Sequence, residues 1–445
     1  MQTNFTAEQL EQPDIRQADS ILRKCVHCGF CTATCPTFVI TGDERDSPRG
    51  RIWMMRDMLE AGAGTEPDKD KQLGTHLDRC LTCLSCMTTC PSGVDYMHLV
   101  DIARDKLEQT QSRPLSERLV RFMLVNTVPY ARRFHLSLRL AQLAKPFSFL
   151  LPSRLKAMVK LAPSKIRALD SIGASDAEYP AQNDKRAGRV LLLTGCAQRA
   201  IDPDINQATV SLLSRMGVEV VVRAQASCCG ALSHHLTASE AAHQQMRQVV
   251  DAWWDEIAAG QIDAIIVNTS GCGTTLKDYG QLLADDPEYA EKGAKLSSLV
   301  RDVTEYLSEA AILPSVPATG YIVAYHAACS LQHGQKITQA PKQLLERAGF
   351  EVRSPKNPHL CCGSAGVYNV MQPELAGELQ SRKLQTINAV GADIVAAGNI
   401  GCINQLSPSD SPICHTIQLL DWVYGGQMPV ALKAAARSFV LKQAS

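Results

Sequence analysis

The sequence predicts an α+β, multidomain protein. It should have a small α-helical N-terminal domain built on two cysteine loops, a basic helical connector, and two tandem α/β units that each carry a Cys-Cys-Gly motif. Three observations lead there: a cysteine pattern written twice within the first 91 residues, a strongly basic block at 113–167, and an internal repeat in the second half. The expected boundaries are 1–112, 113–187, 188–318 and 319–445.

The first loop holds Cys25, Cys28, Cys31 and Cys35 before Pro36, and the second holds Cys80, Cys83, Cys86 and Cys90 before Pro91. Both read C-x2-C-x2-C-x3-C-P, the spacing of bacterial two-cluster ferredoxins. Three thiolates at intervals of three on a tight loop can converge on one cubane, while the fourth cysteine points toward the other cluster. The pattern therefore predicts one [4Fe-4S] centre on Cys25, Cys28, Cys31 and Cys90, and a second on Cys80, Cys83, Cys86 and Cys35. Pro36 and Pro91 would end each loop by fixing the backbone angle and removing a donor. Paired C-x2-C also suits structural zinc, but zinc gives no reason for a third spaced cysteine and a proline in both copies.

Residues 7–24 read as an amphipathic helix leading into the first loop. A second helix is expected across SPRGRIWMMRDMLEAG, opened by Ser47 and Pro48, with Ile52, Met55, Met58 and Leu59 on its core face. Arg49 and Arg51 could donate to cluster sulfurs or steer a partner, although solvated arginine is the plainer expectation. A further helix should run from Gly74 into Cys80.

The block at 113–167 contains twelve Arg and Lys residues and one acid, Glu117. Leu, Phe, Val and Met recur there at roughly helical spacing, broken by Pro129, Pro146, Pro152 and Pro163. A basic amphipathic segment can lie on anionic lipid; packing on its own core or on a partner is the stronger expectation. Residues 171–188 read as a polar linker.

In the repeat, strand VLLLTGC ends at Cys196, strand VEVVV precedes Cys228-Cys229-Gly230, a long helix passes through Trp253, and DAIIVNTSGC ends at Cys272. The second unit repeats the order with YIVAYHAAC to Cys329, FEVRS before Cys361-Cys362-Gly363, a helix at 373–389 and ADIVAAGNIGC to Cys402. The offsets are 133 residues (Cys196 to Cys329), 133 (Cys228 to Cys361) and 130 (Cys272 to Cys402). Alternating strands and helices of these lengths argue for parallel α/β units.

Sites of open α/β sheets form beyond the strand ends, which is where these cysteines fall. Cys196, Cys228, Cys229 and Cys272, then Cys329, Cys361, Cys362 and Cys402, would converge as metal ligands, for one or two further iron–sulfur centres. The alternative is buried, inert cysteine, which is also the reading for Cys414. A helix after each Cys-Cys-Gly would favour thiolate through its positive end, and Gly230 and Gly363 would let backbone approach closely. His234, His235, His326, His333 and His359 stand near these cysteines, as substitute ligands, proton carriers or, more simply, satisfied polar contacts.

Forty-five basic and forty-five acidic residues cancel, so net charge points to no nucleic-acid partner. Seventeen cysteines in ligand-like spacing indicate a reducing compartment rather than disulfides. With neither a secretory leader nor a membrane-spanning stretch in view, the expectation is a cytoplasmic chain, at most peripheral on the cytoplasmic face of the inner membrane. No nucleotide-binding or hydrolytic motif stands out, so no catalytic residue is expected here.

CVHCGFCTATCPT, SPRGRI, HLDRCLTC, GCAQ, DAWW, SGCG, HLCCGSAG and NIGC together resemble the iron–sulfur subunits of the glycolate oxidase, lactate-utilisation and anaerobic glycerol-3-phosphate dehydrogenase group, most of all the glycolate oxidase family. The Cys-Cys-Gly units also resemble a heterodisulfide reductase subunit. The resemblance implies a subunit passing electrons from a flavin (FAD) partner that oxidises glycolate to glyoxylate toward a quinone or another acceptor. Lactate or glycerol-3-phosphate as substrate, or disulfide-reducing catalysis, are the alternatives. Where the heterodisulfide reductase pattern ends each unit in C-x2-C, Cys272 and Cys402 stand alone, which argues against the non-cubane clusters of that enzyme.

Overall fold

The structure, a computed structural model, describes residues 1–163, 165–182 and 187–435. Parts of the expected connector (164), linker (183–186) and last unit (436–445) lie outside the described residues.

Four helices of twelve or more residues frame the N-terminal domain: Pro13–Lys24, Pro48–Ala61, Pro67–Asp78 and Tyr96–Thr110. Ile15, Leu22, Met55, Leu73, Leu99 and Val100 meet in its core, and Ile52, Met58 and Leu59 join them as expected. Ser47 starts the second helix because its Oγ accepts the Gly50 N–H at 3.0 Å. The third helix begins at Pro67 rather than Gly74. Proline suits the first helical position, and Asp68 and Asp70 complement the helix dipole.

The basic block forms helices Leu115–Thr127, Ala131–Ala144 and Ser153–Leu161, with a 3-10 turn at Lys145–Leu150. One stripe packs inward: Val120 and Leu124 against Leu236 and Val370, and Leu138 against Ala200. The opposite stripe is exposed and apolar, with Leu115, Leu119 and Phe122 on the first helix and Leu136, Leu140 and Leu143 on the second. Core contact thus accounts for only half of this block.

Among the described residues nine strands follow: β1 (Ala177–Tyr179), β2 (Gly188–Leu193), β3 (Val218–Val222), β4 (Ala264–Val267), β5 (Val300–Asp302), β6 (Ile322–His326), β7 (Glu351–Arg353), β8 (Ile394–Ala397) and β9 (Ile413–His415). They form two sheets, β1-β3-β2-β4-β5 and β7-β6-β8-β9. All pairings are parallel except β1 on β3. The central strands are buried along most of their length, as parallel sheets covered on both faces require.

Two expectations are corrected. The stretch read as linker contains β1, an edge strand held to β3, with Glu178 bridging Arg189 and Arg223. The strands before Cys272 and Cys402 end early, at Val267 and Ala397, and both cysteines lie in short helices, Ser270–Lys277 and Ile400–Gln405.

Candidate metal centres

All seventeen cysteines are free. One small cavity in the N-terminal domain is lined by Cys25, Cys28, Cys31, Cys86 and Cys90. A neighbouring cavity is lined by Cys35, Cys80, Cys83 and Cys86. Each triplet thus meets the last cysteine of the other loop. His27, Thr82 and Leu84 hold φ of +55°, +49° and +62°, a region non-glycine residues seldom adopt. These tight turns gather each triplet around its cavity. Cys35 then caps the helix Pro36–Thr41, and Cys90 closes the short helix Ser85–Thr89, which carries both away from their own triplets.

Arg51 is only 1% exposed, so the expectation of a solvated side chain is wrong for it. Its Nε donates to the His76 carbonyl at 2.8 Å, and Nη2 donates to Thr37 Oγ1 at 3.1 Å and Asp46 Oδ1 at 3.5 Å. Its Nη1 stands 3.9 Å from Cys35 Sγ. Arg49 instead pairs with Glu44 at 2.8 Å near the surface. Burial pushes the Cys80 thiol up, but Arg51 and Arg104 together with the Thr82 N–H and Tyr96 hydroxyl bring it below its usual value. Burial drives the Cys83 and Cys86 thiols well up, with neighbouring cysteines adding to it. Burial, then the Cys25 thiol, raises Cys31 to about 11. Thiols so placed resist ionising alone and suit a cationic core that supplies the missing charge.

In the first repeat unit the sulfurs touch in series, Cys196 to Cys228 to Cys229 to Cys272. The second repeats the chain from Cys329 through Cys361 and Cys362 to Cys402, with the Cys329 and Cys361 sulfurs 3.7 Å apart. Gly363 has φ +88°, and a Cβ there would lie 2.6 Å from the Ala376 carbonyl oxygen. That close approach is what lets the cysteine pair lie against helix Pro373–Asn388. Gly230 caps helix Ala231–His235 as expected. After Gly363, however, the chain turns through Ala365 at φ +36° before helix Tyr368–Met371, so the second pair has no helix end directly behind it.

Both sulfur sets line one cavity of about 520 Å³, walled on its far side by the inward stripe of the basic helices. The second set also lies against the second N-terminal loop: Leu81, Cys83, Cys329, Cys361 and Tyr368 form one packed cluster. Thr88 Oγ1 and His333 Nδ1 are 2.7 Å apart across this contact, and the Tyr368 hydroxyl donates to the Arg79 carbonyl at 3.0 Å. The first unit meets the N-terminal domain elsewhere. His98 lies 3.1 Å from Asp278, and His234 lies 3.1 Å from Asp101. Burial lowers His235 to about 4, and burial likewise lowers His359. Cys414 is buried in β9, in the core cluster that also takes in Cys362 and Cys402.

The sequence names Arg51 as a candidate donor to cluster sulfurs, whereas buried Arg104, Tyr96, Tyr368 and Lys383 are not expected at these sites. Only Arg51 had a sequence signal, its place in SPRGRI; the rest arrive from distant elements. Eight free sulfurs grouped four and four fit two cubanes, which need four thiolates each.

Comparison with known proteins agrees with the donor set. Residues 21–94 match the family model of the 4Fe-4S dicluster domain, and residues 190–277 and 323–407 match that of the cysteine-rich domain. The chain is 40% identical over 422 residues to the glycolate oxidase iron-sulfur subunit of Escherichia coli K12, covering 95% of this chain and 98% of that protein. It is 30% identical over 405 residues to the probable glycolate oxidase iron-sulfur subunit of Bacillus subtilis 168, with 88% and 89% covered. Lactate utilization protein A of Shouchella clausii is 26% identical over 216 residues, 48% of this chain and 88% of that protein. The N-terminal domain therefore carries two [4Fe-4S] clusters, and the cysteine-rich units each bring together the four sulfur donors a further centre would need.

Proposed function

Since the chain belongs to the family of glycolate oxidase iron–sulfur subunits, we propose that it carries electrons out of a glycolate oxidase complex, from a flavin (FAD) partner that oxidises glycolate to glyoxylate toward a quinone or another acceptor. The two-electron oxidation takes place on the partner. When bound, each cluster takes and passes one electron at a time, so this chain separates the pair. We assign Cys25, Cys28, Cys31 and Cys90 to one cluster and Cys35, Cys80, Cys83 and Cys86 to the other, and the two repeat sets to further centres.

One observation carries this reading: the second N-terminal loop is packed directly on the sulfurs of the second repeat unit through Cys83 and Cys361. A continuous line of sulfur sites thus crosses the molecule. At its outer end Cys28 is exposed between exposed Val26 and Phe30, a patch suited to docking the flavin subunit. At the other end lies the large cavity behind the basic helices.

Among the described residues no helix is long and apolar enough to cross a membrane. The exposed stripe of the basic helices supports peripheral contact with the cytoplasmic face of the inner membrane. Leu115 is 79%, Leu143 74% and Phe149 72% exposed. Arg118, Arg132, Arg139 and Lys160 have no ion pair among the described residues, leaving them available to anionic headgroups.

The test is anaerobic addition of glycolate to the purified complex. Glycolate should reduce the cluster signals of this chain in proportion to flavin turnover. Reduction by lactate and not by glycolate would overturn the substrate assignment.

A further inference from the structure

The offset of 133 residues that aligns Cys196 with Cys329 also aligns Leu193 with His326. Both end the central strand of their sheet in the same register, Leu193 opposite Val267 and His326 opposite Ala397. An apolar side chain is what such a covered strand demands, and the first unit has one. In the second unit an imidazole occupies this place, 2% exposed. Its Nε2 is buried with no hydrogen-bond partner among the described residues, which is unfavourable unless something fills the gap.

What lies beside it is sulfur. A ring nitrogen of His326 and the Sγ atoms of Cys362 and Cys402 all lie within 4.8 Å of one another. Cys329 and Cys361 extend the group. Asn399 Nδ2 stands 3.4 Å from Cys402 Sγ, so one amide is already turned toward these sulfurs.

We propose that His326 is a ligand, through a ring nitrogen, to the iron–sulfur centre of the second unit, which is thus held by thiolates and an imidazole while the first unit uses thiolates alone. The inference rests on the reading above only in taking the repeats to hold such centres; the substrate and the partner do not enter. With the imidazole as one of the four ligands and three of the unit's four thiolates as the others, the centre is less negative than one held by four thiolates and its reduction potential is higher, as with histidine in Rieske centres. Buried Lys383, on the helix behind Gly363, adds positive charge on the same side. The first unit has Val249 and Val250 at the corresponding turn of its helix. The unit packed on the second N-terminal loop is then the more oxidising of the two, which favours electron flow into it.

The experiment is pulsed electron spin resonance on the whole complex, labelled with [15N]histidine and reduced with dithionite, so that the readout does not depend on glycolate. The expected result is a strong nitrogen coupling, of directly bound imidazole, on a signal separate from the N-terminal clusters. H326C should keep the iron and sulfide content, lose that coupling and lower the potential of that signal; H326A should lose iron from the second unit alone. Three results would overturn the proposal: only the weak coupling of a hydrogen-bonded ring, a coupling unchanged in H326C, or no iron beyond the roughly eight of two N-terminal cubanes.

Discussion

Arg51 brings its guanidinium to 3.9 Å from the sulfur of Cys35 while its other nitrogens tie the His76 carbonyl, Thr37 and Asp46 together. It is the cation around which the second N-terminal cavity is built. Asp46 is itself fully buried and shared with His76 and Arg79. Replacing Arg51 by Met leaves Asp46 with Arg79 and His76 but strips the buried His76 carbonyl and Thr37 hydroxyl of their donor, at a cost of about 1–3 kcal/mol. It also removes positive charge beside Cys35 and Cys80, so the second cluster should become harder to reduce. R51K should keep the charge and lose the fork, giving a smaller effect on both counts. Thermal unfolding and a redox titration of the second signal check this.

The assigned ligand sets cross between loops, and that makes an unusual expectation. C35S should remove the cluster held by the second loop, and C90S the one held by the first. Each should lower the iron content by about four per chain, with the remaining signal unchanged in shape. If C35S removed the first-loop signal instead, each loop would be holding its own cluster.

His98 joins the N-terminal domain to the first repeat unit through Asp95 at 2.6 Å and Asp278 at 3.1 Å. Burial opposes its charge, but the two carboxylates outweigh burial and lift the imidazole from 6.5 to about 10. The proton is therefore bound more tightly in the folded state. Its stabilisation is complete below pH 6.5, declines as pH rises, and is gone above about pH 10. We expect the melting temperature to fall from pH 7 to pH 9 and the fall to be shallower in H98Q. The variant should lose on the order of 1–2 kcal/mol at neutral pH, allowing for the partly exposed rim of the pair.

The outward stripe of the basic helices predicts lipid binding that needs both charge and apolar side chains. The complex should float with vesicles containing anionic lipid, weakly with zwitterionic ones, and less as salt rises. Replacing Leu143, Phe147 and Phe149 by Ser should abolish flotation while leaving the visible spectrum of the clusters intact. Loss of the partner subunit in this variant, with vesicle binding retained, would show that the stripe is a protein interface.

Gly363 tests the support of the second sulfur set. G363A forces a left-handed alanine whose Cβ falls 2.6 Å from the Ala376 carbonyl oxygen, a strain of about 1–3 kcal/mol. Any centre of the second unit should become labile, with the N-terminal clusters retained.

Much of this was legible in the chain because it is written in intervals. Three-residue spacing brings cysteines to one loop, the 3.6 period gives the Met55 and Leu59 face, and matched offsets of 133 declare a repeated unit. Such features depend on neighbours a few residues away, so the sequence by itself determined that this protein gathers sulfur in two N-terminal loops and two tandem α/β units. What it could not decide is which side chains from distant elements meet those sulfurs. Arg51 looked like a solvated arginine until the third helix and the Cys35 turn closed over it. His326 looked like one of several ordinary histidines until β6 set it beside Cys362 and Cys402. Likewise the basic helices divided into a packed stripe and a bare one only when Leu236, Val370 and Ala200 covered one side. Burial and partnership are properties of packed surfaces, formed by residues tens to hundreds of positions apart, and only the tertiary structure brings those surfaces together.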